Sequence, residues 1–202
     1  MKNYNTKSND SFKARLRFYL YYCVTRNENK TSLDEFFAFD IDKPEYEKFV
    51  LEYTSQYYQL ERNEKIKGIE KSLDDIYADI KNLENQLKPN ISEWQLKYRK
   101  EVFEIKFKPA DFELINSVKE CFYCKISLDE IKELRIKEKL FKKNERGYNL
   151  ELDRKLPNRE YSVGNCVMAC YWCNNAKTDE FTAEEFKPIG ELIGQTLKAR
   201  LK

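Results

Sequence analysis

The chain has 202 residues, of which 36% are charged and 14% aromatic, with five glycines and a formal net charge of +2. This composition excludes a disordered chain and is typical of helix-rich globular domains. No apolar stretch approaches the roughly 20 residues that a membrane span requires, and no cleavable leader is evident, so we expect a cytoplasmic protein without membrane contact. In a reducing compartment, the six cysteines are expected to act as thiols or metal ligands.

Charge is unevenly distributed along the chain. The first thirty residues and residues 135–159 are basic, whereas residues 31–90 are acidic. Because polyanion binding depends on local charge more than on the overall balance, this pattern favours a polyanion that is contacted at particular places.

The first half of the chain is predicted to be helical. Residues 11–26 carry apolar residues at helical spacing, and Ser32 with Glu35 forms a capping-box pattern before a short second helix. Pro44 favours the start of a third helix. A helix over about residues 62–88 follows, and its alternating spacing of three and four is typical of a heptad seam. The members of this seam are Ile66, Ile69, Leu73, Ile76, Ile80, Leu83 and Leu87.

The heptad seam requires an apolar partner. Three heptads are short for an independent coiled coil, which favours pairing with a neighbouring helix of the same chain, and a homodimer through the seam is the alternative. Residues 102–107 alternate apolar and charged side chains in a pattern that fits either a strand or a helix. Because Pro109 marks a boundary, we predict a helical domain over residues 1–109 and a second domain over residues 110–202.

The second domain combines short helices and short strands. Capping-box patterns at Ser127 and Thr182 predict the starts of two helices. Alternation over residues 148–154 and an apolar run over residues 165–169 predict two strands. The predicted fold class is mainly α, with a small α+β zinc finger in the C-terminal part of the chain.

Four of the six cysteines form two Cys-x-x-Cys pairs, Cys121 with Cys124 and Cys170 with Cys173. Zinc prefers four thiolates in a tetrahedron at about 2.3 Å, and each such turn supplies two of them. We therefore predict one zinc ion that joins the pairs in a treble-clef-like arrangement. Because that site is closed, the zinc is expected to stabilise the fold and not to catalyse. Cys166 stands outside the pairs and is expected in the core.

The order of these motifs resembles a known family. A Cys-x-x-Cys pair, a strand ending in Asp plus one residue, a Gly-Asn dipeptide and a Cys-x-x-Cys-Asn-x-x-Lys run lie within residues 121–181. This arrangement is similar to that of zinc-containing HNH endonucleases, whose domains have a ββα-metal active site and are often carried by phages or mobile elements. The resemblance covers under a third of the chain and does not extend to the N-terminal half.

The resemblance implies a role for each motif residue. Asp153 matches the strand carboxylate that binds a catalytic Mg²⁺ or Mn²⁺, Asn165 matches the middle asparagine, and Asn174 matches the last metal ligand. Lys177 matches the helix lysine near the phosphate, and the four paired cysteines match the structural zinc ligands. Glu151 lies two residues before Asp153 on the same strand face, so both carboxylates together form an alternative ligand pair.

Arg154 stands where the family has its general-base histidine, and the chain contains no histidine. An arginine stays protonated near neutrality and does not readily take a proton from water, although its guanidinium binds phosphate through two parallel hydrogen bonds. Three readings follow. In the first, the metal alone activates water, with help from substrate phosphate, Tyr148 or Tyr161. In the second, the carboxylates of Glu151 and Asp153 together hold the metal. In the third, catalysis is lost and the finger only binds nucleic acid.

Three basic residues around this site, Lys155, Arg159 and Lys177, are expected to contact phosphates. The sequence therefore predicts a metal-dependent HNH-type DNA endonuclease or nickase with arginine at the base position. The alternative is a catalytically inactive zinc-finger module that binds DNA or a protein. A scaffold that dimerises through the heptad seam is a third reading.

Overall fold

The computed structural model of the chain describes residues 2–46, 49–50, 71–141 and 147–202. The chain divides into two compact units, Met1–Lys106 and Phe107–Lys202. Most of the predicted third helix, together with Ile66 and Ile69 of the heptad seam, lies outside the described residues. Within the described ranges, no helix combines the length and apolar character needed to cross a membrane.

The N-terminal unit is built from helices. Its described elements are α1 (Lys2–Thr25), α2 (Leu33–Ala38), α3 (Leu73–Leu87), α4 (Ile91–Tyr98), a π-helical turn (Arg99–Phe103) and the short α5 (Glu104–Lys106). Helix α1 begins earlier than the sequence predicts, and its added first turns bury Tyr4 against the ring of Phe103, with ring centroids 5.3 Å apart. A tertiary contact therefore extends this helix beyond its local apolar pattern.

The ambiguous segment 102–107 is helical through Lys106. Phe103 and Phe107 are buried, whereas Ile105 between them is 71% exposed. On a strand these three side chains would share one face, whereas a helix separates Ile105 from the two phenylalanines. The segment is therefore a helix and not a strand, because only a helix buries both phenylalanines while Ile105 stays exposed.

The described part of the heptad seam is buried within the N-terminal unit. Its side chains from position 73 onward line one side of α3, and α3 packs against α1. The helix begins with a capping box, in which Ser72 accepts a hydrogen bond from the backbone N–H of Asp75. In the described residues the seam therefore packs inside its own chain.

The C-terminal unit holds a two-stranded sheet among short helices. Its described elements are α6 (Pro109–Asn116), α7 (Leu128–Ile136), β1 (Glu151–Arg154), β2 (Cys166–Ala169), α8 (Tyr171–Lys177) and α9 (Ala183–Ala199). The strands are antiparallel, with Glu151 opposite Ala169 and Arg154 opposite Cys166. Helix α8 packs against β1. The mainly helical class with a small α+β element is confirmed, and capping boxes begin α7 and α9 where predicted.

Helix α9 approaches the first cysteine pair through its backbone. A Cβ atom added at Gly194 would lie 2.2 Å from the carbonyl oxygen of Cys124, and one added at Gly190 would lie 2.7 Å from Cβ of Tyr123. No side chain fits between this helix and the turn that holds Cys124. The two glycines therefore set the distance between α9 and the first pair.

The substitution Gly194→Ala is expected to destabilise the C-terminal unit by about 1–3 kcal/mol, because the added methyl group overlaps a backbone carbonyl. In an exposed helix the same change would stabilise by up to about 1 kcal/mol. Denaturant unfolding measures the difference. Gly164→Ala is the matched control, since nothing lies within 4 Å of its Cβ position. An increase in stability for Gly194→Ala would contradict the close approach.

Candidate functional site

Four thiols converge in the core of the C-terminal unit. The Sγ atoms of Cys121, Cys124, Cys170 and Cys173 lie within 4.8 Å of one another, and all four residues are buried. The Sγ atoms of Cys124 and Cys170 are 3.5 Å apart. A disulfide would bring them to about 2.05 Å, whereas two thiolates on a tetrahedral zinc lie about 3.8 Å apart. The donor set therefore fits one zinc ion.

The two cysteine pairs are fixed by backbone hydrogen bonds. The N–H of Cys170 donates to Sγ of Cys121 at 3.2 Å, and the N–H of Phe122 donates to the carbonyl of Met168 on β2 at 2.8 Å. Hydrogen bonds from Cys124 and the other two thiols lower the pKa of Cys121. Cys166 is buried on β2 and lies outside the four-thiol group.

A buried carboxylate lies beside the cysteine pairs. Asp153 on β1 is 8% exposed. Its Oδ2 accepts a hydrogen bond from the hydroxyl of Tyr123 at 2.6 Å and lies 3.4 Å from Nζ of Lys177. Burial raises the pKa of Asp153, while the Tyr123 hydrogen bond and the Lys177 charge act in the opposite direction. The carboxylate is thus held between a hydroxyl and an ammonium group.

Tyr123 was not singled out by the sequence patterns. It lies inside the first Cys-x-x-Cys turn, and the fold brings that turn to a strand thirty residues further along the chain. Burial, followed by the interaction with Asp153, raises the pKa of Tyr123, so its hydroxyl remains a donor at neutral pH. The signal in the sequence was its position between Cys121 and Cys124, which are predicted zinc ligands and would fix its backbone.

Lys177 lies at the end of α8 and is fully buried. Among the described residues its Nζ has no hydrogen-bond partner, and its ion pair with Asp153 spans 3.4 Å. The sequence predicts a phosphate contact for this lysine. In the folded unit the ammonium faces Asp153, so a phosphate reaches it only by entering the interior of the site.

Arg154 is held by three groups. Its guanidinium donates to the carbonyl of Arg159 at 3.3 Å and to Oδ1 of Asp179 at 3.1 Å. It also lies over the ring of Tyr161, 5.2 Å from the centroid. The side chain of Arg154 is 20% exposed, so it is reachable from solvent. The sequence patterns gave Asp179 no role.

The two predicted asparagines occupy different places. Asn165 is buried, and its amide accepts from the N–H of Leu156 at 2.9 Å and donates to the carbonyls of Leu156 and Glu160. It therefore fixes the β1–β2 hairpin loop. Asn174 on α8 donates to the Glu151 carboxylate at 2.7 Å, which ties this helix to β1.

The oxygen atoms of Glu151, Asp153 and Asn174 are of the type that Mg²⁺ and Mn²⁺ prefer. The chemical type of these three side chains therefore fits such an ion. The Asp153 carboxylate also faces the ammonium of Lys177, and a metal ion would have to share it. Charge compensation by Lys177 thus competes with divalent metal binding.

A groove of about 690 Å³ lies between α7 and the start of β1, and Glu151 lines part of it. Two basic residues from α7, Lys132 and Arg135, also line it, and Arg135 lies over the ring of Tyr148 at 4.2 Å. Neither residue was predicted for the site, because a basic residue on a surface helix gives no specific sequence signal. The predicted phosphate contacts Lys155 and Arg159 lie in the hairpin loop after β1, and both are partly exposed.

These observations define the C-terminal unit as a helix-rich fold with a two-stranded sheet, a cluster of four cysteines that could bind zinc, and an adjacent buried carboxylate. No protein-family model matches the chain, and no curated protein matches it. Comparison with solved structures finds the rare-cutting HNH restriction endonuclease PacI, at 29% identity and a TM-score of 0.39, with 53% of this chain and 78% of that chain covered. A likeness at this TM-score does not assign the chain to a family.

Proposed function

We propose that the C-terminal unit is a nucleic-acid phosphodiesterase of the HNH endonuclease type, which nicks or cleaves DNA. One observation carries the proposal: Asp153, from the strand motif, is held by Tyr123 beside the four-cysteine centre. Burial of a carboxylate costs several kcal/mol, and carboxylates whose pKa is shifted by burial and by a charged partner cluster at functional sites.

Each residue of the site has a chemical task in this proposal. Asp153, with Glu151 and Asn174, would hold a divalent ion, and that ion would lower the pKa of a water molecule and neutralise phosphate charge. Arg154 stabilises the negative charge that develops on the phosphate. Tyr123 orients the Asp153 carboxylate, and Lys155 contacts the nucleic-acid backbone.

A second candidate function is a zinc module that binds DNA or a protein without catalysis. The contact that favours it is the ion pair between Lys177 and Asp153, which neutralises the carboxylate without any metal. The lack of histidine in the chain points in the same direction, since no side chain with an ordinary pKa near neutrality is present to act as base.

Plasmid nicking by the full chain separates the two functions. With Mn²⁺ or Mg²⁺ we expect supercoiled DNA to become open-circular, and with EDTA we expect no nicking. Asp153→Asn is expected to lower the rate by about 10²–10³-fold, the effect of removing one group that stabilises a transition state. Glu113→Gln is the control, because it neutralises an exposed acidic residue on α6, and we expect it to nick at the wild-type rate.

Equal nicking by wild type and Asp153→Asn would refute the proposed active site. Absence of nicking with every metal would refute catalysis. A gel shift in the absence of nicking would instead support the binding module.

A further inference from the structure

The ion pair between Arg154 and Asp179 joins two residues of very different exposure. The NH2 group of Arg154 lies 3.1 Å from Oδ1 of Asp179, and the two side chains are 20% and 81% exposed. Asp179 lies in the turn between α8 and α9. The carboxylate therefore covers the guanidinium from the solvent side.

Arg154 keeps its position without Asp179. Its other contacts, the carbonyl of Arg159 and the ring of Tyr161, belong to the loop of the β1–β2 hairpin. Its backbone is paired with Cys166 in the sheet. An exposed ion pair contributes little to stability, so Asp179 can leave while the guanidinium remains in place.

The turn that carries Asp179 is strained at the preceding residue. Thr178 has φ 53° and ψ −155°, a positive-φ conformation that glycine adopts readily and that is unfavourable for a β-branched side chain. Its hydroxyl accepts a hydrogen bond from the N–H of Glu180 at 3.2 Å. Rearrangement of this turn would release the strain and move Asp179 away from Arg154.

We propose that Arg154 is a phosphodiester-binding subsite that Asp179 covers in the free protein, and that a nucleic-acid backbone displaces this carboxylate. A carboxylate and a phosphodiester each carry one negative charge and present two oxygens to the forked donors of a guanidinium. Asp179 therefore occupies the place of a backbone phosphate. This inference deepens the proposed function and rests on it for the nucleic-acid substrate.

The experiment measures binding in EDTA, so that nicking plays no part in the readout. The probe is a 20-base-pair fluorescein-labelled duplex, and anisotropy gives its Kd for the full chain. We expect Asp179→Asn to tighten binding by about two- to fivefold, the range that corresponds to loss of one exposed ion pair. Glu180→Gln is the matched control, because it removes the same charge from the neighbouring exposed residue.

A double-mutant cycle with Arg154→Gln tests whether the effect passes through the guanidinium. Arg154→Gln is expected to weaken binding and to reduce the salt dependence by about one phosphate contact. In the Arg154→Gln protein, we expect Asp179→Asn to change the Kd no more than Glu180→Gln does. Arg154→Lys, which keeps the charge without the fork, serves as a second variant whose fold is less disturbed.

Three results would overturn the inference: equal effects of Asp179→Asn and Glu180→Gln, an undiminished effect of Asp179→Asn on the Arg154→Gln background, or no binding of the duplex by wild type. Failure of plasmid nicking with the binding pattern intact would remove the catalytic function and leave the phosphate subsite standing. The two tests therefore fail independently.

Discussion

Replacement of Cys121 by serine is expected to abolish zinc binding and to unfold the C-terminal unit. A serine hydroxyl stays protonated near neutrality and is a poor zinc ligand, whereas the cysteine thiolate binds tightly. Structural zinc in finger peptides contributes about 10–16 kcal/mol, which equals or exceeds the total stability of an ordinary domain, about 5–15 kcal/mol. We expect the zinc content to fall from one ion per chain to near zero.

Metal analysis and limited proteolysis provide the measurement. Residues 107–202 are expected to become sensitive to protease in Cys121→Ser, and in wild type after chelation. Cys166→Ser is the control, because this cysteine is also buried but lies outside the four-thiol group. It is expected to cost about 1–3 kcal/mol and to retain zinc. Zinc retention by Cys121→Ser, or zinc loss in Cys166→Ser, would contradict the assignment.

The substitution Asp153→Asn is expected to destabilise the protein by about 3–5 kcal/mol, because it leaves the buried ammonium of Lys177 without its counter-charge. This loss accompanies the loss of nicking. A fall in activity by itself therefore does not separate a catalytic role from a folding defect. Guanidinium unfolding has to be measured on the same preparation.

The double variant Asp153→Leu with Lys177→Met separates the two effects. Replacement of a buried ion pair by apolar residues of similar size is often neutral for stability, so we expect most of the lost stability to return. Nicking is expected to stay absent, because the metal-binding carboxylate is gone. The Tyr123 hydroxyl loses its acceptor in this variant, which costs about 1–3 kcal/mol, so the variant Asp153→Leu, Lys177→Met with Tyr123→Phe is measured beside it. Stability that does not return in that triple variant would show that the ion pair is not the source of the loss. Nicking that returns would exclude Asp153 from catalysis.

The position of Tyr123 links these two predictions. Its backbone belongs to the turn that carries Cys121 and Cys124, two of the four clustered thiols, and its hydroxyl donates to Asp153. If the four thiols bind zinc, we expect loss of the ion to release the group that orients the carboxylate. A zinc ion at the four thiols, although closed to substrate, would support the site through Tyr123 and through helix α8, which carries Asn174 and Lys177.

Local patterns in the sequence were sufficient for several elements. The capping boxes at Ser127 and Thr182 begin helices because their hydrogen bonds span only three residues. The alternation over residues 148–154 predicts a strand, and a strand is present there, although it begins later than predicted, at Glu151. The sequence of segment 102–107 is compatible with both a strand and a helix. The segment is a helix because this places Phe103 in the core.

The sequence by itself determined which four thiols come together, because the Cys-x-x-Cys spacing supplies cysteines in pairs and two pairs complete the four ligands that a structural zinc ion prefers. Asp153 and Arg154 were singled out because the strand motif that ends with them resembles that of HNH endonucleases. Only the tertiary structure decided what those two side chains face: Tyr123 and Lys177 for the carboxylate, and Asp179 for the guanidinium. Each of these contacts joins residues more than twenty positions apart, and such contacts depend on how the elements pack, which no local pattern encodes.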